Sequence, residues 1–269
     1  MSVPKALTIA GSDSGGGAGI QADLKTFSAF RVFGMSVITA ITAQNSFGVQ
    51  GVENLPPAIV AQQLRSVLGD FGADAAKCGM LSTAPIIEAV AEALREHPIE
   101  KLVVDPVMVA KSGAALLEPD ARLALIERIL PLALVVTPNL PEAAALLDTG
   151  IAADEREMEA QAAGILALGA RAVLIKGGHG ADAMSVDLLF DGPTVTRYAA
   201  KRIPTHNTHG TGCTLSSAIA AGLAKGQELA HAARIAKAYV TDAIAGADRL
   251  AVGQGQGPIH HFHAVWPSS

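Results

Sequence analysis

Gly210-Thr211-Gly212-Cys213, preceded by Asn207-Thr208-His209, stands directly before an apolar stretch of helical character, residues 214–224. Small residues at a helix entry leave several backbone N–H groups free to converge on one point, with the positive end of the helix dipole behind them. Such a cluster can stabilise the negative charge on a phosphoryl group in transfer, the plainer alternative being a glycine-rich helix entry that holds no ligand. A second glycine run, Gly11-Ser12-Asp13-Ser14-Gly15-Gly16-Gly17-Ala18-Gly19, follows the first aliphatic segment and leads into a helix-like stretch. In an open α/β sheet that junction is the ligand-bearing edge, where glycines let the backbone approach a ligand or simply make a turn. Two phosphate motifs are excluded: no G-x-x-x-x-G-K-[ST] occurs, and the glycine run does not fit G-x-G-x-x-G.

The elements that must position these residues follow from hydrophobic patterning. Short aliphatic runs without alternation recur at residues 6–10, 35–42, 75–78, 102–104, 134–136 and 172–175, each predicting a strand buried on both faces. Between them lie amphipathic stretches such as residues 84–96, with Ile86, Ile87, Val90 and Leu94 on one side. This is the βαβ rhythm of a parallel sheet covered by helices. The rhythm breaks at residues 185–196, where two β-like segments flank Asp191-Gly192-Pro193 and predict an antiparallel edge. Two late helices, about 212–224 and 228–247, complete the pattern. No linker-like segment divides residues 1–269, which predicts one domain.

Composition narrows the function classes. The formal charge is −5, with no basic stripe of the kind that tracks nucleic acid. Aromatic residues make up only 4% of the chain, so the core is expected to be aliphatic. The apolar run after Lys5 is too brief for a signal peptide, and no stretch is long enough to span a bilayer, which predicts a soluble, cytoplasmic protein without membrane partners. Cys78 and Cys213 form neither a CxxC motif nor a disulfide framework. Cys78 reads as a small core residue. His260, His261 and His263 invite a metal reading, but no acidic or cysteine partner lies nearby in sequence and a polar tail explains them.

The motif Gly210-Thr211-Gly212-Cys213 resembles the anion-hole signature of ribokinase-like vitamin kinases, in the form found in hydroxymethylpyrimidine and phosphomethylpyrimidine kinases. Most sugar kinases of that group carry Asp where this chain has Cys213. Further segments match the same family: residues 10–23, Thr39-Ala40-Ile41-Thr42-Ala43-Gln44-Asn45-Ser46, Val104-Asp105-Pro106-Val107-Met108, Thr137-Pro138-Asn139-Leu140-Pro141-Glu142 and Ile175-Lys176-Gly177-Gly178-His179. The resemblance runs from about residue 6 to residue 247 and implies a three-layer α/β/α sandwich with a mostly parallel sheet and a small antiparallel edge.

The same resemblance implies an ATP- and Mg2+-dependent kinase of hydroxymethylpyrimidine and its monophosphate, a homodimer, acting in thiamine biosynthesis. It puts Gln44 against the pyrimidine, where a side-chain amide matches the N–H donor and ring-nitrogen acceptor of a 4-aminopyrimidine. Gly11 and Asp23 would help fix the substrate, and Ala18, Met80 and Val107 would line its apolar face. Lys176 would neutralise charge between the β- and γ-phosphates, and Gly210, Thr211 and Gly212 would form the anion hole. Asp105, Asn139 and Glu142 would supply oxygen ligands for magnesium, directly or through water. Cys213 would act as base in the first transfer, its thiol pKa lowered from about 8.5 by the helix N-terminus. The rival readings are a pyridoxal or pyridoxine kinase of the same group and a non-catalytic pyrimidine-binding regulator.

Overall fold

The computed structural model describes residues 3–109, 113, 116–118, 120–179 and 183–266. Among the described residues, nine strands form a single sheet: β1 (Lys5–Asp13), β2 (Phe33–Asn45), β3 (Gly48–Asn54), β4 (Ala75–Cys78), β5 (Leu102–Val104), β6 (Val135–Val136), β7 (Val173–Lys176), β8 (Met184–Phe190) and β9 (Val195–Lys201). Their order across the sheet is β3-β2-β1-β4-β5-β6-β7-β8-β9. The six central strands, β2 to β7, run parallel, while β3 pairs antiparallel to β2, and β8 and β9 extend the other side antiparallel. The expected antiparallel edge at β8 and β9 is present. The second, at β3, was not anticipated, because Gly48–Asn54 is polar, rich in glycine and largely exposed, and so carries no aliphatic run.

The aliphatic strands alternate between two cores. Leu7, Ile9 and Val37 face one layer of helices: α2 (Pro57–Asp70), α3 (Ala84–Glu96), the short α4 (Ala121–Ala124), α5 (Leu140–Leu147) and α6 (Glu155–Ala167). Ala6, Val103, Val135 and Leu174 face the other: α1 (Gly19–Ala29), α7 (Thr211–Ala224) and α8 (Leu229–Ala245). In α3, Thr83 caps the N-terminus by accepting from Ile86 N, and the predicted stripe of Ile86, Ile87, Val90 and Leu94 is buried. The result is the three-layer α/β/α arrangement with a mostly parallel sheet. No helix among the described residues is long and apolar enough to cross a membrane.

Two features of this architecture create the site. The chain leaves β1 to one side for β2 and to the other for β4, so strand order reverses at β1 and opens a crevice at the carboxyl ends of the strands. Helix α7 then runs beneath the sheet with every residue from Thr214 to Ala224 buried, which its run of Ser, Ala and Gly permits. Its N-terminus points into the same crevice.

Candidate functional site

A cavity of about 960 Å³ lies along the carboxyl ends of the strands. It brings together Gln44, Gly11, Ala18, Met80 and Val107 from the first half of the chain with Asp105, Asn139, Glu142, Lys176, Gly210, Thr211, Gly212 and Cys213. Of the site residues expected from the sequence, Asp23 alone does not line it.

One end of the cavity is enclosed by β1, the turn after it and β2. Gly11 lies under Met80, since a methyl group on it would come within 3.0 Å of the Met80 sulfur. Met80 is itself held by Thr39 Oγ1, which donates to its carbonyl at 2.7 Å. Gln44 sits where the β2–β3 register shifts, and its main chain is tied to Ser14. Gly19 adopts φ +54°, and a methyl group on it would meet Gly11 O at 2.4 Å, so glycine is required where α1 starts against β1.

At the other end a charged cluster surrounds Lys176. Its ammonium donates to Asp105 Oδ1 at 2.7 Å and lies 3.8 Å from Glu142 Oε2. Burial opposes its charge, but Asp105 and Glu142 raise its pKa above the ordinary value. Burial, aided by Asp105 and opposed by Lys176, pushes the Glu142 carboxyl up to about 7. The cluster touches the helix entry directly: a methyl group on Gly212 would lie 3.3 Å from Lys176 Nζ and 3.6 Å from Asp105 Oδ2. Gly210 caps α7 at φ +81°, and any side chain there would collide with Gly17 O, so the helix entry and the turn after β1 are packed backbone to backbone.

Three expected site residues meet surroundings that the sequence does not show. Asp23 is fully buried, and its carboxylate accepts from Lys77 Nζ at 3.0 and 2.9 Å, Thr8 Oγ1 at 2.6 Å and Ser217 Oγ at 2.5 Å. All its acceptor capacity is engaged behind the cavity wall, and of its partners Lys77 lines the cavity. The Asn139 side-chain oxygen accepts from Glu142 N at 2.8 Å while Glu142 Oε2 accepts from Asn139 N at 2.8 Å, a capping box that starts α5. Asn139 therefore shapes the Glu142 backbone, while its oxygen, engaged by one hydrogen bond, keeps a second lone pair.

The Cys213 thiol is not activated as the helix N-terminus suggested. Burial pushes it up to about 11; Lys77 pulls it down, but Asp23 and Asp105 counter that pull. Away from the cavity, burial likewise pushes Cys78 up to about 12, in keeping with its core position. The late histidines are not a polar tail: His260 and His261 are buried, and His261 shares a 3.0 Å hydrogen bond with Thr214 of α7.

The implied magnesium ion can be tested against this donor set. Glu142 and Asp105 present hard carboxylate oxygens beside the helix entry, and a buried carboxyl pushed toward neutrality is one that an added cation would return to its charged form. Among the described residues no group of three or more His, Cys, Asp or Glu converges on a metal position. Asp105 and Glu142 are the residues that would hold such a cation, and their hard oxygens fit it.

The cavity also holds charged residues to which the sequence assigns no role, among them Lys77, Asp13, His209, Asp187 and Lys237. Lys77 had a visible signal, a lysine inside the fully buried strand Ala75–Cys78. Asp13 and His209, joined at 2.9 Å, each lie inside a glycine-rich motif visible in the sequence, but their pairing across 196 residues is not. Lys237 donates to Asp187 Oδ2 at 2.8 Å, while Asp187 Oδ1 accepts from Gly177 N at 3.0 Å and so holds the turn after Lys176.

Residues 13–260 match the phosphomethylpyrimidine kinase family. A hydroxymethylpyrimidine/phosphomethylpyrimidine kinase of Rhizobium meliloti is 60% identical over 97% of this chain and 98% of its own. Among solved structures, a phosphomethylpyrimidine kinase from Clostridium difficile is 46% identical with a TM-score of 0.80, covering 90% of this chain and 100% of its own. An ADP complex of Bacillus subtilis pyridoxal kinase is 41% identical with a TM-score of 0.90, covering 98% of this chain and 99% of its own. The fold, the helix entry facing a lysine, and these likenesses together make the chain a member of the phosphomethylpyrimidine kinase family of ribokinase-like, ATP-dependent kinases.

Proposed function

We propose that this chain transfers the γ-phosphate of ATP to the hydroxymethyl oxygen of 4-amino-5-hydroxymethyl-2-methylpyrimidine and then to the resulting monophosphate, in the cytoplasm, as a homodimer serving thiamine biosynthesis. The observation that carries this reading is the shared cavity, with Gln44 and an apolar floor at one end and Lys176 against the Gly210–Cys213 helix entry at the other. An amide that can pair with an aminopyrimidine edge thus faces the same space as groups suited to a transferring phosphate.

In this mechanism Gly11, Ala18, Met80 and Val107 enclose the ring while Gln44 reads its edge. Lys176 leaves Asp105 and Glu142 to meet the β- and γ-phosphate oxygens, and the backbone N–H groups of Gly210, Thr211, Gly212 and Cys213 stabilise the charge on the group in flight. Magnesium, held by Asp105 and Glu142 with water between, would supply charge neutralisation on the nucleotide phosphates. Cys213 is the proton acceptor for the alcohol, through the small thiolate fraction that its raised pKa allows at neutral pH.

Pyridoxal kinase is the second reading, favoured by the Bacillus subtilis neighbour; pairing of Gln44 with an aminopyrimidine edge favours the first. Phosphorus NMR of the protein with magnesium-ATP and hydroxymethylpyrimidine tests it. A monophosphate resonance followed by a diphosphate is expected. Absence of both, with pyridoxal phosphorylated instead, would reverse the choice.

A further inference from the structure

Residues 254–259 touch three loops that the sequence keeps far apart. At the β2–β3 turn, Ser46 Oγ accepts from Gln254 N at 3.2 Å and from Gly255 N at 3.0 Å, and Ser46 O accepts from Gln256 N at 2.8 Å. Just before the helix entry, Asn207 Oδ1 accepts from Gly257 N at 2.8 Å, and Gln256 Nε2 donates to Thr208 Oγ1 at 3.2 Å. His209 is gripped on both sides of its main chain. Its N–H donates to Gly257 O at 3.1 Å and its carbonyl accepts from Ile259 N at 3.3 Å, around a parallel bridge with Pro258. At the turn after β1, a methyl group on Gly17 would come within 2.9 Å of the Pro258 side chain.

The segment is itself anchored. Ile259 is fully buried, and so is the main part of His261. Thr214 Oγ1 donates to Gly210 O at 2.9 Å, so it accepts from His261 Nε2 at 3.0 Å, and the segment reaches the first turn of α7. Two of the gripped residues adjoin cavity groups: Ser46 is two residues past Gln44, and His209 directly precedes Gly210. In-line transfer requires the acceptor oxygen, held at the Gln44 end, to meet the phosphate held at the Gly210–Cys213 end. A misplacement of about 1 Å can cost about 10²-fold in rate.

We propose that residues 254–259 are a strap that aligns the pyrimidine end of the cavity with its phosphate end, with Ser46 and Asn207 as the positioning residues that hold it. The strap touches neither ligand. It works beside the Asp13–His209 pair and the backbone contact of Gly17 with Gly210, and it adds the tie to the turn after β2. The inference rests on the substrate reading of the preceding section and adds to it what keeps the two ends in register.

The test is Gly255→Ala. Gly255 is exposed and does not line the cavity, but a methyl group on it would collide with Ser46 O, so the substitution wedges the strap off the turn. Each end still holds its own ligand. Affinities for hydroxymethylpyrimidine and for magnesium with a non-hydrolysable ATP analogue, measured separately by calorimetry, should therefore stay within about threefold of wild type. The single-turnover rate of the first transfer should fall by about tenfold or more, because alignment is what is lost. Ser46→Ala removes the oxygen to which Gln254 and Gly255 donate and should slow the same step by about threefold with both affinities kept. The double variant should be no slower than Gly255→Ala alone, since both changes release one contact. An unchanged rate in Gly255→Ala overturns the strap. So does a loss confined to the affinity of one ligand, the mark of local damage at that end, and so does a double variant whose losses multiply. If Gly255→Ala does not fold, Ser46→Ala decides by the same split between rate and affinity. Should the wild type phosphorylate neither the pyrimidine nor its monophosphate, the substrate reading itself falls and the strap's role with it. If the wild type is active and the variants match its rate, only the strap falls.

Discussion

Lys77 and Lys176 stand at the carboxyl ends of parallel strands β4 and β7, both facing the cavity and both paired with carboxylates, yet their surroundings differ in one respect. Around Lys77 everything is closed: the side chain and its partner Asp23 are each 0% exposed, and Thr8 and Ser217 complete the shell, so that β1, α1, β4 and α7 meet at one ion pair. Around Lys176 the shell is open: the side chain is 12% exposed and a single ammonium answers two carboxylates. A sealed and satisfied pair has no capacity to bind anything else, so its use is to hold geometry. The open cluster carries one negative charge in excess when Glu142 is ionised, which leaves room for a cation, and its lysine can exchange carboxylates for phosphate oxygens. The same residue type thus serves structure in one region and ligand in the other, and the difference lies in how many partners the fold supplies.

Breaking the sealed side should give the largest effect. Lys77→Met leaves Asp23 charged, buried and without its counter-ion, and a loss of about 3–5 kcal/mol in unfolding free energy is expected, measured by urea denaturation. Removing both charges in a Lys77→Met, Asp23→Leu double variant should restore most of it, because no uncompensated ion is left in the core. If the double variant is as unstable as the single one, the pair is not what holds these four elements together.

Breaking the open side should cost activity instead. Lys176→Met is expected to lower kcat by about 10²- to 10³-fold in both phosphorylations, since the same γ-phosphate leaves the same β-phosphate in each. The KM for the pyrimidine should not change. Stability should fall less than in Lys77→Met, because Asp105 keeps Thr137 as a donor and Glu142 keeps the Asn139 N–H. Equal rates of wild type and variant at saturating magnesium-ATP would remove Lys176 from the mechanism.

The two regions also differ in how well the sequence announces them. Lys176, Asn139 and Glu142 lie at ends of aliphatic runs or at helix starts, where periodicity and local motifs are readable, and the central strands were legible for the same reason. What could not be read was pairing across the chain. Asp13 with His209, Asp23 with Lys77 and Asp187 with Lys237 join residues that only the closed sheet brings together. Environment was equally hidden. A helix N-terminus is visible in a sequence, whereas the burial that outweighs its field on Cys213 is not. Nor does a polar, glycine-rich strand such as β3 carry a signal, because its pairing with β2 needs no buried side chains.

That misjudged environment sets the smallest of the expected effects. A general base works in its deprotonated form, so a thiol whose pKa is pushed up to about 11 is almost wholly the wrong species at pH 7. Below that value the thiolate fraction, and any step that needs it, rises tenfold for each unit of pH. The alcohol step needs it, because a hydroxymethyl group is protonated throughout this range. The monophosphate is already an anion near pH 7 and needs no base. Single-turnover rates from the alcohol should therefore climb between pH 7 and 9, while those from the monophosphate stay flat. Cys213→Ala should abolish the climb and leave the second step nearly untouched, since the backbone N–H groups of the helix entry survive the substitution. At pH 7 the loss should be only about tenfold, short of the 10²- to 10⁴-fold that a well-matched base contributes, and it should widen as the pH rises. Lys77 supplies a check on the cause: it is the charge that pulls the Cys213 thiol down, so a folded Lys77→Met enzyme should show a lower alcohol-step rate at every pH in that window with the slope retained. A flat wild-type profile from the alcohol would mean that its proton leaves without a thiolate, and that Cys213 serves the shape of the helix entry alone.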